Sequence, residues 1–281
     1  RDYPMEILSG TGEIPASMVE WLRVLEPDLL INDLLDTAHD YMAAVGSGRR
    51  VLNFDDNGPG RHLATGTINA LPCKMRMRDA GLNTFQGPDY LLLGEEFAQQ
   101  APARALSQVP SSMLITLGGS DTYGNTVSAV SAVRRLRGIQ HIDVIVGPAF
   151  AHQATLTQEI AGDGRFKVHI AVPSLADLMR RHEFALVGGG ISLFEAGACG
   201  LPTMAVASED FERENILWAQ ERGLTRLAGG GQPASADEIY EVALELLNDP
   251  QARADMAAQG PLVVDGKGKD RVVGIVSGLC N

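Results

Sequence analysis

The sequence predicts an α/β protein with two parallel-sheet domains, and three observations lead to this prediction. Short runs of branched apolar residues alternate with helical stretches along the 281 residues. The strand-like runs of the second half are almost wholly apolar, which is typical of parallel strands covered by helices on both faces. The alternation is interrupted around residues 98–111, where Pro102 and Pro110 stand in a stretch with little apolar periodicity. We interpret this stretch as a linker.

The first half contains four predicted strands and two predicted helices. The helices are predicted over residues 19–25 and 37–46. The strands are predicted in DLLIND (28–33), RRVLNFDD (49–56), TGTINA (65–70) and DYLLLG (89–94). Residues 1–105 therefore form the first predicted domain.

The second half, residues 106–281, predicts a complete doubly wound domain. Its strands are predicted in SSMLITLGG (111–119), HIDVIVG (141–147), FKVHIAV (166–172), EFALVGGG (183–190) and PTMAVA (202–207). Its helices are predicted over residues 125–136, 151–160, 174–181, 192–198, 212–221, 236–247, 251–259 and 270–279. Two α/β domains of this kind favour a ligand in the cleft between them.

Composition excludes several classes of function. The net charge of −12 argues against a nucleic-acid surface, which needs clustered lysine and arginine. No apolar run approaches the roughly 20 residues of a membrane span. The three cysteines, Cys73, Cys199 and Cys280, follow no disulfide or metal-ligand spacing, so we expect no metal, no cofactor and a cytoplasmic location.

Two predicted strands end in glycines, at Gly118-Gly119-Ser120 and at Gly188-Gly189-Gly190. In open parallel sheets ligands bind beyond the carboxyl ends of strands, and a helix N-terminus after a glycine turn can hold a phosphate with its N–H groups. Neither run matches the dinucleotide or Walker pattern. The alternative is a tight strand-to-helix turn without a ligand, but two such runs in one domain favour phosphate binding.

Glu195 is the most specific single residue in the sequence. It stands three residues after Ser192, so the two could form a capping box at the start of a helix. Alternatively, its carboxylate points into the cleft and accepts hydrogen bonds from both hydroxyls of a ribose. Both interpretations stay open at this point.

These features together resemble a known family. The strand, the glycine turn, Glu195, the GLP of residues 200–202 and Glu214-Asn215 are similar to the nucleotide-binding half of the two-domain GT-B glycosyltransferase fold, in its MurG-like branch. Within that branch the chain most resembles the PseG/SpsG family of UDP-2,4-diacetamido-2,4,6-trideoxy-β-L-altropyranose hydrolases. Supporting stretches, in the family's order, are PDLLINDLLDT, VLNFDDNGPG, DYLLLGEEF, ITLGGSD and VDGKGKDRV.

The resemblance implies two Rossmann-like domains facing a cleft and assigns a nucleotide site to the second. Its glycine turns would face the diphosphate, Val172 would hydrogen-bond the uracil edge, Glu195 would hold the ribose, and Asn215 would face the sugar. For Asn215 the alternative is a cap beside a helix. The implied nucleotide and substrate residues are Gly118, Gly119, Ser120, Val172, Gly189, Gly190, Ile191, Ser192, Glu195 and Asn215.

The resemblance also implies a catalytic histidine in a Gly-His loop after the first strand. None of the six histidines stands in such a loop, and we expect the sequence to start about two strands into the first domain. Weaker catalytic candidates are Asp33 and Asp55 at strand ends, where capping and turn formation are the alternatives. His62 is another, with a solvated loop histidine as its alternative.

The predicted function is hydrolysis of a UDP-sugar at its anomeric carbon, in the synthesis of nonulosonic, sialic-acid-like sugars. The alternatives are a MurG-like glycosyltransferase and a non-catalytic nucleotide-sugar-binding segment of a larger protein. The expected partner is the UDP-sugar, with no nucleic acid and no membrane span. Fusion or association with other enzymes of the sugar pathway is also consistent with the sequence.

Overall fold

The computed structural model describes residues 16–75, 83–98 and 107–280. The chain divides into unit 1, Arg1–Tyr90 with Lys269–Asn281, and unit 2, Leu91–Gly268. The predicted boundary between residues 105 and 106, with much of the predicted linker, lies outside the described residues. The last predicted helix, which the sequence analysis assigns to the second domain, belongs to unit 1. Within the described ranges, every helix is too short or too polar to cross a membrane.

Unit 1 contains a parallel sheet of four strands in the order β1-β2-β3-β4. Its first elements are α1 (Ala16–Leu25), β1 (Leu29–Asp33), α2 (His39–Val45), β2 (Arg50–Phe54), β3 (Gly66–Asn69) and β4 (Asn83–Gln86). A 3-10 helix, Pro59–Leu63, connects β2 to β3.

The fourth strand is β4, and the predicted strand in residues 89–94 is wrong. Pro88–Tyr90 is a 3-10 turn. The N–H of Leu93 bonds to the carbonyl oxygen of Leu91 at 3.0 Å, so this backbone closes a local turn. Leu91 and Leu93 are nevertheless buried, which accounts for the strand-like alternation of the sequence.

A buried carboxylate holds together the loops that follow β1 and β2. The Asp56 side chain is 1% exposed. Its Oδ1 accepts the N–H groups of Thr37 and Gly58, both at 2.8 Å. Its Oδ2 accepts the Thr37 hydroxyl and the Asn53 amide, both at 2.6 Å. Asp56 therefore stabilises the turns that follow both strands.

Unit 2 contains a parallel sheet of six strands. Its elements are β5 (Ser112–Thr116), α3 (Asn125–Val133), β6 (His141–Val146), α4 (Gln153–Glu159), β7 (Phe166–Ile170), α5 (Ala176–Arg181), β8 (Phe184–Gly188), α6 (Ile191–Ala198), β9 (Thr203–Ala207), α7 (Asp210–Glu221), β10 (Thr225–Gly230), α8 (Ala236–Asn248) and α9 (Pro250–Val263). The final helix is α10 (Gly268–Cys280). Strand β10 is absent from the sequence-based prediction.

The strand order of unit 2 is β10-β9-β8-β5-β6-β7. The chain enters at the middle of the sheet, runs outward through β6 and β7, and returns to the other side of β5 for β8, β9 and β10. This is a doubly wound sheet, and its order reverses between β5 and β8. Strands β8 and β9 are buried at every position, because helices cover both faces of the sheet.

Replacing Asp56 by alanine should destabilise the folded chain by about 3 kcal/mol, because it leaves buried donors of three residues unpaired. The matched control is Asp36→Ala, since Asp36 is exposed in the loop after β1 and should change stability by at most about 0.5 kcal/mol. Urea unfolding followed by circular dichroism measures both. Equal losses in the two variants would contradict the role given to Asp56.

Candidate functional site

The two glycine turns lie side by side at the switch point of the unit 2 sheet. Strand β5 pairs with β8 in parallel, with Thr116 opposite Val187. The turn at Gly118-Gly119-Ser120 therefore leaves the sheet beside the turn at Gly188-Gly189-Gly190. Ligands of open parallel sheets bind at this point, because the two connections diverge to opposite faces and leave a crevice.

The first turn is open to solvent, but the helix after it is capped by the protein. Gly118 has φ +93°, a conformation that favours glycine, and an added Cβ would meet no atom within 4 Å. The carboxylate of Asp121 accepts the N–H of Asn125 at 2.8 Å and the N–H of Thr126 at 2.7 Å. A ligand at this turn can therefore use the exposed backbone of residues 118–120, whereas Asp121 already occupies the start of α3.

The second turn leads to a helix end without a side-chain cap. Helix α6 begins at Ile191, with Gly190 as its N-cap residue and no capping hydrogen bond from a side chain. Its first N–H groups therefore remain available to an anion. The capping box of Ser192 and Glu195 is wrong, because the helix begins one residue before Ser192.

Gly189 and Gly190 have different surroundings. A Cβ on Gly189 would lie 2.6 Å from the carbonyl oxygen of Glu212, so this glycine permits close packing against α7. A Cβ on Gly190 would meet no atom within 4 Å. Gly190, Ile191 and Ser192 are accessible to a ligand, whereas Gly189 is buried.

Glu195 lies on α6 with a carboxyl group of raised pKa. Burial, followed by the nearby negative charge of Glu96, raises its pKa to about 7. Glu96 accepts the hydroxyl of Ser174 at 2.6 Å, and this hydrogen bond lowers the pKa of Glu96. In the described part of the chain, the Glu195 side chain has no hydrogen-bond or ion-pair partner. A half-buried carboxyl of this kind at a sheet's ligand-binding edge is a candidate functional group.

The other two predicted nucleotide residues, Val172 and Asn215, lie in different surroundings. Val172 follows β7 after Ala171, which has φ +50°, an uncommon conformation for a residue with a side chain. Asn215 is 0% exposed and its Nδ2 donates to the carbonyl oxygen of Gly189 at 3.0 Å. Asn215 therefore fixes the second glycine turn from inside the protein, and it is neither a helix cap nor exposed to a sugar in this structure.

The catalytic candidates of unit 1 separate into two places. Asp33 ends β1 and Asp55 follows β2, so the parallel pairing brings them to the same edge of the sheet. Burial raises the pKa of Asp55, although its Oδ1 accepts the N–H of Ala70 at 2.9 Å. His62 lies on the 3-10 helix shortly before the first residue of β3, and thus near the opposite edge. The structure does not bring His62 together with the two aspartates.

A cavity that the sequence analysis missed lies at the ends of β9 and β10. Its volume is about 460 Å³, and Ser208, Glu209, Arg213 and Gly231 are among its lining residues. The missed signal is TRLAGGG (225–231), a third run that ends in glycines. Arg226 interrupts the apolar pattern of this stretch.

A second missed feature is a group of three histidines around one aspartate. His141 and His169 lie on β6 and β7, His182 follows α5, and each has its Nε2 within 3.1 Å of a carboxylate oxygen of Asp143. The spacing of these residues in the sequence predicts no metal-ligand cluster. The available signal was the alternation of polar and apolar residues in HID (141–143) and KVH (167–169). These polar side chains form a cluster only when the two strands pair.

Glu195→Gln should remove a pH-dependent cost to folding. The carboxyl has its ordinary pKa of 4.5 in the unfolded chain and about 7 in the folded protein. Between these values only the folded protein keeps the proton, so stability falls as pH rises. The free energy of unfolding of the variant, relative to that of the wild type, should therefore increase by about 2 kcal/mol as the pH rises from about 5 to about 8.

Urea unfolding at both pH values measures this difference. The control is Glu221→Gln, because the Glu221 side chain is 75% exposed and keeps its solvent contacts on folding. A gain for Glu195→Gln that does not change with pH would contradict the pKa given to Glu195.

Comparison with known proteins gives both a sequence relative and a fold. No protein-family model matches the chain. The chain is similar in sequence to the spore coat polysaccharide biosynthesis protein SpsG of Bacillus subtilis strain 168, with 24% identity over 260 residues, 90% of this chain and 77% of SpsG.

Two solved structures are similar to the chain over 93% of its length. MurG of Acinetobacter baumannii has a TM-score of 0.65 and 13% identity over 76% of its own chain. A UDP-GlcNAc 2-epimerase of Neisseria meningitidis, crystallised with UDP-GlcNAc, has a TM-score of 0.63 and 14% identity over 79% of its chain. These similarities confirm the resemblance to SpsG, and they show that the chain has the α/β fold of the MurG-like GT-B enzymes.

Proposed function

We propose that the protein binds a UDP-sugar at the switch point of unit 2 and hydrolyses it to UDP and a free deoxy amino sugar. The observation that carries the proposal is the meeting of two glycine turns beside the uncapped start of α6, which bears Glu195. The similarity to SpsG, a polysaccharide biosynthesis protein, supports a substrate from sugar metabolism. The epimerase of similar fold binds a UDP-sugar, which supports the nucleotide.

The diphosphate would lie between the two turns. The N–H groups at the start of α6 and the exposed backbone of residues 118–120 are suitable donors, and the helix dipole favours negative charge there. Asp121 at the start of α3 makes that helix end a poor phosphate site, because its carboxylate already accepts two N–H groups. We therefore assign the main phosphate contact to Gly190, Ile191 and Ser192.

The ribose would contact Glu195. The ionised carboxylate can accept a hydrogen bond from each ribose hydroxyl, and such bonds favour the charged form. Val172 would supply backbone groups to the uracil edge. Gly118, Gly119 and Ser120 complete the proposed nucleotide site. Asn215 would act indirectly, because its buried amide holds the carbonyl group of Gly189.

Hydrolysis requires water to attack the anomeric carbon. The water oxygen forms the new bond to carbon, the carbon–oxygen bond to the β-phosphate breaks, and its electron pair leaves with UDP. The N–H groups at α6 would stabilise the charge that develops on the leaving diphosphate. A base must take the proton of the water, and the assignment of Asp33 or Asp55 to this role stays a prediction from the sequence.

The second candidate function is transfer of the sugar to an acceptor hydroxyl, which the similarity of fold to MurG favours. Donor binding would be the same in both reactions. A third candidate is a segment that binds the nucleotide sugar without catalysis. The fate of the sugar distinguishes the three.

Calorimetric titration with UDP, CMP and GDP tests nucleotide binding. We expect UDP to bind best and Glu195→Ala to weaken it by about 1–3 kcal/mol, because the ribose hydroxyls lose their acceptor. Glu221→Ala, on the exposed side of α7, is the control and should bind UDP like the wild type. Absence of UDP binding, or an equal effect of both variants, would overturn the proposed site.

Gly190→Asp should weaken UDP binding at least about tenfold more than Gly190→Asn. Both residues are good N-caps and similar in size, and the position has room for a side chain, so both variants should fold. Only the aspartate places a negative charge beside the diphosphate. Calorimetry gives the affinities and thermal unfolding checks the fold. Equal affinities would place the diphosphate elsewhere.

Incubation of UDP-sugars in ¹⁸O-labelled water tests the reaction. Hydrolysis at the anomeric carbon incorporates the label into the free sugar, whereas cleavage at phosphorus incorporates it into UDP. Mass spectrometry of both products decides. Label in UDP alone, or turnover only with an added acceptor, would contradict the hydrolase in favour of another reaction. Binding without any turnover would favour the non-catalytic segment.

A further inference from the structure

We propose that His141, Asp143 and His182 bind a divalent transition-metal ion of the zinc class. These residues lie at the amino edge of the unit 2 sheet, where β6 begins and β8 is about to begin, and the glycine turns lie at the carboxyl edge. The metal would join β6 to the connection between α5 and β8. It is independent of the nucleotide site and of the proposed reaction.

The distances between the three ligand atoms suit one small ion. The Nε2 atoms of His141 and His182 each lie 3.1 Å from Oδ2 of Asp143, and all three atoms lie within 4.8 Å of one another. Ligands of a tetrahedral zinc ion, at about 2.0–2.1 Å from the metal, are separated by roughly 3.3 Å. Only small side-chain movements are therefore needed to surround an ion.

The hydrogen bond of His182 Nδ1 also favours a cation at its Nε2. Its Nδ1 lies 2.7 Å from the carbonyl oxygen of Leu178. A carbonyl oxygen only accepts hydrogen bonds, so Nδ1 carries the proton, and in the neutral ring Nε2 presents a lone pair toward the carboxylate of Asp143. A metal ion placed between Nε2 and the carboxylate would bind to a lone pair of each.

His169 provides the outer support that such sites need. Its Nε2 lies 2.8 Å from Oδ1 of Asp143, so it holds the carboxylate by the oxygen that faces away from the other two histidines. Outer hydrogen bonds of this kind orient metal ligands.

The site is accessible, and its ligands select the kind of ion. A cavity of about 280 Å³ reaches the cluster, and the His141 side chain is 52% exposed. Lys167 and Arg181 also line this cavity. The ligand set decides the kind of ion, because two imidazoles and one carboxylate favour Zn²⁺, Co²⁺ and Ni²⁺, whereas Mg²⁺ and Ca²⁺ depend on several oxygen ligands.

Titration of the tag-free full chain, stripped with a chelator, tests the site. We expect one equivalent of Zn²⁺ in competition with a chromogenic chelator, and the visible spectrum of four-coordinate Co²⁺ on cobalt addition. Zn²⁺ should also raise the melting temperature. Mg²⁺ and Ca²⁺ should do neither.

His141→Ala should weaken Zn²⁺ binding at least about tenfold, and His169→Ala should weaken it about 10- to 100-fold through the carboxylate. The matched control is His39→Ala, since His39 also neighbours an aspartate, Asp40 at 3.6 Å, and is exposed in unit 1. Melting of the metal-free variants checks their fold. No saturable binding of one equivalent, or equal binding by His141→Ala and His39→Ala, would overturn the proposal. A protonated His182 paired with Asp143 would then explain the cluster.

Discussion

In a parallel sheet every strand ends at the same edge, and the organisation of unit 2 depends on this constraint. Because the chain enters at β5 and later returns beside it with β8, two connections separated by about 70 residues of sequence leave the sheet side by side. The crevice between them is a consequence of strand order. The glycine turns make the backbone of both connections accessible there, and no other pair of strand ends in this sheet has the same relation.

The N-termini of α3 and α6, which both lie at this edge, are capped differently. Asp121 satisfies the first N–H groups of α3, whereas α6 begins at a glycine without a side-chain cap. A capped helix is more stable, so an uncapped start at a ligand-binding edge is a cost that ligand binding can offset. Glu195 also lowers the stability of the folded protein when it is ionised, because its carboxylate is partly desolvated beside Glu96, and its raised pKa reflects this. Three residues with side chains adopt positive φ after strands: Asp55 after β2 of unit 1, and Asp121 and Ala171 after β5 and β7 of unit 2.

The two edges of the unit 2 sheet have different chemistry. The carboxyl edge presents backbone donors and carboxyl groups, which suit hydroxyl and phosphate ligands. The amino edge presents the imidazoles of His141 and His182 beside Asp143, which suit a metal ion or a proton. Since β6 and β7 are connected through the sheet to β5, a metal at the amino edge would stabilise the strands that position the first glycine turn without contacting a nucleotide.

Local pattern alone was sufficient for most strands and helices of unit 2, for the two glycine turns, and for Glu195 on the helix after the second turn. Apolar periodicity and the glycines at strand ends depend on residues a few positions apart, so both can be recognised from the sequence. The resemblance to SpsG and to the GT-B fold was visible for the same reason. Strand order, the capping of α3 by Asp121, the burial of Asn215, the packing of Gly189 on α7 and the histidine cluster depend on contacts between distant segments. Such contacts form only when the sheet assembles, because burial and strand pairing are properties of the packed chain.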